Sequence, residues 1–360
     1  MGHLHEFDQA FIQAPEHRPK LALSHADRIP TIDLSPIFNH SLPGSDVPHD
    51  LVHQIASACT EWGFFLVVNH GVPPEKRHRI EAAAREFFGQ SLEEKRKVRR
   101  SQGLVTGYFD TELTKNVRDW KEVFDFMVED PTIVPASPES DDDELTQWTN
   151  QWPEYPPEFR EICEGYVEEL EKLGHKLMEL IATSLGLPAK RFGEYFKAGQ
   201  TSSVRLNHYP LCPSPELALG VGRHKDPGVL TLLAQDDIGG LEVKRKKDGE
   251  WIQVKPVPDS YAVDVGDIIQ VWSNEKYESV EHRATVNSKR DRYSIAFFFY
   301  PSHSTIVEPL EELIGPQNPP KYKPYSFGKF LANRKRSNFK KLNVDNIQIS
   351  DFKISPANPN

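Results

Sequence analysis

Cysteine is scarce in this chain. Cys59, Cys163 and Cys212 are the only three in 360 residues, widely spaced and odd in number. That excludes a disulfide scaffold or a zinc ribbon and fits buried thiols in a reducing compartment. Long apolar runs are missing as well: Phe64 to Val68 is far too short to span a bilayer. There is no basic excess, since 43 Lys and Arg stand against 53 Asp and Glu for a net charge of −10. Such a balance argues against nucleic acid or an anionic membrane as the main partner. Residues Met1 to Asp8 have neither the basic start nor the apolar core of a signal peptide. No repeat of solenoid period is visible. The expectation is a cytoplasmic monomer acting on a small molecule, with ample length for a buried core.

What is present divides into two halves. The first 28 residues form a polar, His-rich arm, expected to order on contact. Ile29-Pro30-Thr31-Ile32-Asp33-Leu34 alternates as a short strand, and Pro30 puts it at an edge or a strand start. Helical spacing follows from about Asp50 to Trp62 and from Pro74 to Phe88, with Phe64 to Val68 between them as a strand buried on both faces. The run Glu93-Glu94-Lys95-Arg96-Lys97 reads as a solvated helix face, and residues 137–144 as an exposed acidic loop. The longest helix starts after Pro157, keeps one apolar face to about Leu185, and stops at Gly186-Leu187-Pro188. From Ser203 to Pro301 short strand-like runs alternate with turn signals, the pattern of a sandwich or barrel. Ile268 to Trp272 is read among these strands, and Tyr325 to Asn338 as a closing helix.

Chemistry enters at His224-Lys225-Asp226. Residues two apart on an extended chain point the same way, so one imidazole and one carboxylate can share a ligand. The spacing alone is weak, and His25-Ala26-Asp27 repeats it in the polar arm. Context separates the two pairs: Asp226 leads into the strongest strand, and His282 follows the later β segment. Two imidazoles and a carboxylate without a cysteine leave half an octahedron open, which favours non-haem Fe(II) over a closed zinc site. Further on, Arg292-Tyr293-Ser294 sets a guanidinium and a hydroxyl on one strand face, a pairing suited to a carboxylate. The strand continues as Phe297-Phe298-Phe299-Tyr300 into the core, where an Arg needs an anionic partner that a dicarboxylate would supply.

His224-x-Asp226, His282, Arg292-x-Ser294 and the preceding Asn207-His208-Tyr209-Pro210-Leu211-Cys212 together resemble the plant-type 2-oxoglutarate- and Fe(II)-dependent dioxygenases. Ile29 to Leu34 and Trp62 to Gly71 resemble the leading region of that family, so the likeness runs from about residue 29 to 340. The resemblance implies an α+β fold with a double-stranded β-helix (jelly-roll) core. By it the chain divides into an arm (1–28), an amino-terminal region (29–150), a supporting helix (151–200), the core (201–302) and a carboxy-terminal helix and tail (303–360). It implies that His224, Asp226 and His282 bind iron, that Arg292, Ser294 and Tyr209 hold 2-oxoglutarate, and that Asn207 lies near its metal-bound end. His208 and Leu211 depart from the family, which commonly has an aromatic residue and a proline there. The cofactors implied are Fe(II), 2-oxoglutarate and O2, with ascorbate supporting activity, and the products include succinate and CO2.

The implied function is oxidation of a small, largely apolar metabolite or hormone of plant specialised metabolism, by hydroxylation, desaturation, demethylation or ring closure. Phe298 shares a strand face with Ser294 and is expected to wall the pocket; Phe124 and Phe126 are candidates from the segment Trp120 to Phe126. His70 is read as structural and Cys212 as a buried thiol. Two other readings stay open at this point: a same-fold oxidase that works without 2-oxoglutarate, and a non-catalytic metabolite-binding relative.

Overall fold

The computed structural model describes residues 7–20, 29–38, 47–101, 103–139, 142–337 and 347–354. The pair His25 and Asp27 and the expected helix end at Asn338 lie outside them. The strands of the two principal sheets are β1 (Thr31–Asp33), β2 (Phe64–Val68), β3 (Gly107–Phe109), β4 (Glu122–Met127), β5 (Ser203–Tyr209) and β6 (Leu219–His224). They continue as β7 (Leu230–Gln235), β8 (Leu241–Lys244), β9 (Trp251–Gln253), β10 (Tyr261–Val265), β11 (His282–Thr285) and β12 (Arg292–Phe299). The α-helices of five or more residues are α1 (His49–Glu61), α2 (Pro74–Phe88), α3 (Leu92–Arg96), α4 (Phe159–Ser184), α5 (Asp267–Trp272) and α6 (Phe327–Ser337).

Eight strands form the major sheet in the order β1-β2-β10-β7-β12-β5-β4-β3, and β6-β11-β8-β9 form the minor one. Among the described strands β1 alone forms a parallel ladder, at the edge where Pro30 places it. Phe64, Leu66 and Ala262 of the major sheet meet Leu241, Val243 and Ile252 of the minor sheet in one buried cluster, so the two sheets face each other as a jelly roll. On its other face the major sheet carries the large apolar core under α2 and α4. The 26-residue α4 buries Cys163, Tyr166, Val167, Leu170, Leu173, Leu177 and Ile181 along one stripe. It ends where Gly186 takes φ +83, a conformation open to glycine without strain.

Two expectations need correction. Ile268 to Trp272 is not a strand but most of α5, every residue of which is buried. A fully buried run has no polar face, so periodicity cannot separate strand from helix there. Its first amides settle the matter: Asp267 N donates to Asp226 O (2.9 Å) and Ile268 N to Gly228 O (3.0 Å). The second correction is Lys95. It does not project into solvent from α3 but is buried, with Nζ 2.7 Å from Glu122 Oε2.

The described part of the arm lies across the barrel. Phe7 and Phe11 pack on Trp120 at centroid distances of 5.4 and 4.7 Å. Gln13 N donates to Leu217 O (2.9 Å), and Arg283 Nη1 donates to His17 O (3.0 Å). Arg223 Nη2 donates to His17 Nε2 at 3.2 Å. Among the described residues no helix is long and apolar enough to cross a membrane.

Candidate active site

His224 ends β6 and His282 opens β11, directly opposite one another in the antiparallel register. Their rings approach to 4.2 Å between centroids. Asp226, on the loop just beyond β6, points its Oδ1 to within 3.5 Å of His224 Nε2 and 3.7 Å of His282 Nε2. One ligand atom from each of the three residues lies within 4.8 Å of the others. His224 Nδ1 lies 2.8 Å from Gly222 O, an arrangement that commits its proton there and leaves Nε2 free as a donor to a metal. Asp226 is fixed from three directions. The Thr231 hydroxyl donates to its Oδ2, the α5 amide holds its carbonyl, and the two imidazoles flank its other oxygen. Burial, then the neighbouring His282, drives the His224 imidazole down to about 3. Burial pushes the Asp226 carboxyl up, but His282, His224 and the Thr231 hydroxyl outweigh it and leave its pKa lowered. A neutral imidazole beside a carboxylate is the protonation state a divalent metal needs.

The residues behind this triad line a small inner chamber of about 80 Å³. Register explains who faces it. β12 pairs with β5 so that Arg292 opposes Tyr209 and Ser294 opposes Asn207, and all four line the chamber with Phe298. Gly220 makes room for this wall: a Cβ there would stand 2.5 Å from Cδ1 of Tyr209. The Arg292 guanidinium lies 4.6 Å from the Tyr209 ring centroid. Its Nε and Nη1, and the Ser294 Oγ, are buried without a hydrogen-bond partner. Buried donors of this kind carry a large desolvation cost unless a ligand answers them. Two donors of a planar guanidinium beside a hydroxyl fit a carboxylate.

A larger outer chamber of about 570 Å³ shares His224, Asp226, Arg205 and Phe298 with the inner one. One wall is an ion-pair network that the sequence reading missed. Arg205 grips Asp125 through Nε (2.7 Å) and Nη2 (2.8 Å) and reaches Glu112 through Nη1 (2.8 Å). Arg100 bridges Asp125 (2.5 Å) and Glu112 (3.0 Å), and Lys121 lies 2.6 Å from Glu112 and 3.5 Å from Asp119. Burial alone would raise both acids, but the cations hold Glu112 well below its ordinary range and Asp125 at about 2. A signal existed: Arg205 stands two residues before Asn207 on β5 and so shares its face.

Phe298 lines both chambers, whereas Phe124 and Phe126 line neither. In β4 it is Asp125 that opposes Arg205, so the flanking phenylalanines turn to the other side of the sheet. They pack there against Phe87, Trp152 and Phe159 in the helix-covered core, which corrects the pocket assignment for both. His208 also faces away, with Nδ1 2.7 Å from Glu122 Oε1. Asp264 faces inward with its Oδ2 3.8 Å from His282 Nδ1, both of its oxygens buried without a hydrogen-bond partner. Burial, then the charges of Asp226 and Asp267, pushes its carboxyl well up. His70 is buried against backbone, its Nε2 2.8 Å from Asp259 O, and Cys212 is a buried free thiol.

Comparison with known proteins agrees with this geometry. The sequence profile of the 2OG-Fe(II) oxygenase superfamily matches residues 200–301, and that of the non-haem dioxygenase in morphine synthesis N-terminal region matches 29–155. Jasmonate-induced oxygenase 2 of Arabidopsis thaliana is 39% identical over 310 residues, 85% of this chain and 78% of that protein. A crystal structure of JOX2 in complex with 2OG, Fe and JA superposes with a TM-score of 0.77 at 35% identity, covering 92% of this chain and 90% of the other. The dioxygenase for auxin oxidation of rice superposes at 0.68 with 26% identity, over 91% of this chain and all of that one.

Proposed function

Because this chain belongs to the 2OG-Fe(II) oxygenase superfamily and is a 2-oxoglutarate- and Fe(II)-dependent dioxygenase, we propose that His224, Asp226 and His282 hold the iron. Arg292 and Ser294 hold the far carboxylate of 2-oxoglutarate, with Tyr209 packed on the guanidinium and Asn207 beside them. The single observation that carries this reading is the set of orphaned donors on Arg292 and Ser294 in a chamber open to the triad. Those donors speak against an oxidase that dispenses with 2-oxoglutarate, and the intact triad speaks against a non-catalytic relative.

O2 is the oxidant: iron, when bound, would activate it, 2-oxoglutarate would give two electrons and leave as succinate and CO2, and the metabolite would give the other two. The chain supplies the placement. Arg292 and Ser294 fix one end of the co-substrate, so its other end is directed at the triad. Thr231 and the first turn of α5 keep Asp226 in position. Phe298, between the two chambers, shields the co-substrate from water and forms the floor on which a substrate rests. JOX2 was crystallised with JA and the rice relative acts in auxin oxidation, so a small plant metabolite or hormone is the substrate class we take for the outer chamber.

The test is metabolite-dependent succinate formation by protein loaded anaerobically with Fe(II) and then given O2 and 2-oxoglutarate. Release of succinate and of an oxidised metabolite in equal amounts supports the reading. Protein that binds neither iron nor 2-oxoglutarate would end it.

A further inference from the structure

The charged wall of the outer chamber is nearly balanced within itself. Arg100, Arg205 and Lys121 meet Glu112, Asp125 and Asp119 at the distances given above. α6 adds one more cation. Lys335 lines the chamber with Arg205 and Lys121, and among the described residues its ammonium has neither a hydrogen bond nor an ion pair. Its ammonium feels Asp125 and Glu112 favourably and Arg205 and Arg100 unfavourably. Burial, more than any of these, brings its pKa down to about 8, so it still carries its proton at neutral pH. A desolvated ammonium in a wall whose acids are already engaged lacks a counter-charge.

Most of the other cations around the chamber are committed elsewhere; Lys225, between His224 and Asp226, is the other lining lysine whose ammonium has no ion pair among the described residues. Arg334 donates to Lys225 O (3.3 Å) and Ile347 O (3.2 Å), Arg223 pairs with Glu281 (2.8 Å), and Lys353 pairs with Glu275 (2.7 Å). The rest of the lining includes the largely apolar side chains of Val221, Phe298, Tyr300, Leu331 and Ile349. An ammonium without a counter-charge on α6, in a chamber that also offers apolar side chains, describes the complement of an amphiphilic anion.

We propose that the substrate is a small organic acid whose carboxylate is held by Lys335 beside Arg205, with its apolar body laid over Phe298 and Leu331 toward the metal ligands. The inference rests on the dioxygenase reading of the site. A neutral molecule leaves Lys335 without its partner, and a cationic one is repelled by it. Lys335 therefore fixes which end of the substrate lies away from the metal, and with it which C–H bond is presented.

The experiment uses the anaerobic protein loaded with Fe(II) and 2-oxoglutarate, titrated calorimetrically with matched pairs. The pairs are jasmonic acid and methyl jasmonate, indole-3-acetic acid and its methyl ester, and cinnamic acid and methyl cinnamate. At least one acid should bind about tenfold or more tightly than its ester, the worth of one charge-assisted contact. Lys335→Met should erase that preference and Lys335→Arg should retain it. Esters binding as well as acids, no acid binding at all, or a preference that survives Lys335→Met would each overturn the proposal. The visible absorption of the Fe(II)–2-oxoglutarate complex separates the two failures. Its absence from the parent protein removes the dioxygenase reading and this inference together; its presence beside equal binding of acid and ester removes this inference alone.

Discussion

The two faces of the major sheet are built from alternate residues of the same strands, yet they obey opposite rules. Toward the helices stand Phe124, Phe126, Leu206, Leu232, Ile295 and Phe297, all buried in one apolar cluster. Toward the minor sheet, Phe64, Leu66 and Ala262 close a smaller apolar cluster at one end, but around the chambers stand Asp125, Arg205, Asn207, Thr231, Asp264, Arg292 and Ser294, just as deeply buried except for the half-buried Arg205. The first face stabilises the fold by removing carbon from water. The second holds desolvated polar groups, tolerable only where they are paired, as at Asp125, or where a ligand completes them, as at Arg292. Because a β-strand alternates, a single strand such as β12 serves both purposes without compromise, and a slip of one residue would exchange them.

Substitutions on either side test that division. His282→Ala, across the inner chamber from the polar face, should reduce iron retention and turnover to background while the protein stays folded, as read by metal analysis, succinate assay and circular dichroism. Retained turnover would remove the triad from the argument. Phe124→Ala, on the apolar face, should cost about 3–5 kcal/mol of stability in denaturant melts. The 2-oxoglutarate constant of the folded fraction should not move; a comparable loss of co-substrate affinity would show that the faces are not independent. Arg292→Ala should do the reverse, weakening 2-oxoglutarate by about tenfold or more with iron still bound. Arg292→Lys should recover only part of it, because an ammonium cannot fork to two oxygens. The smallest effect is expected at Phe298→Ala, where the lost wall is worth about 1.5–3 kcal/mol of substrate burial. Its signature is uncoupling, more succinate formed than product, since positioning of the C–H bond links the two. A succinate-to-product ratio unchanged from the parent would reassign Phe298 to the core.

The polar face was legible wherever a motif fixed the register. His224, Asp226, His282, Arg292 and Ser294 could be named from the sequence, and the two-residue period carried the reading on to Phe298. The same period would have placed Arg205 with Asn207 and Tyr209 had it been continued along β5. It failed at Phe124 and Phe126 because no motif in β4 says which parity faces inward; only the pairing of Asp125 with Arg205 decides that. α5 was misread because burial on every side erases the helical stripe, and Lys95 because a charge run on a helix of five residues says nothing of what packs beside it. Lys335 left no signal at all. Its significance depends on Arg100, Glu112, Asp125 and Arg205, contributed by three distant stretches of chain.

The arm carries a consequence for the order in which the molecule is completed. His17 touches Arg223, next to His224, and Arg283, next to His282, which lie 206 and 266 residues further along. During synthesis, residues 7–20 therefore leave the ribosome long before their docking sites exist. His17 completes its contacts only after β6 and β11 have both been made, later than the Trp120 on which Phe7 and Phe11 pack. The early-made segment is thus a late-placed clasp, whose seating reports that both histidine-bearing strands have already come together.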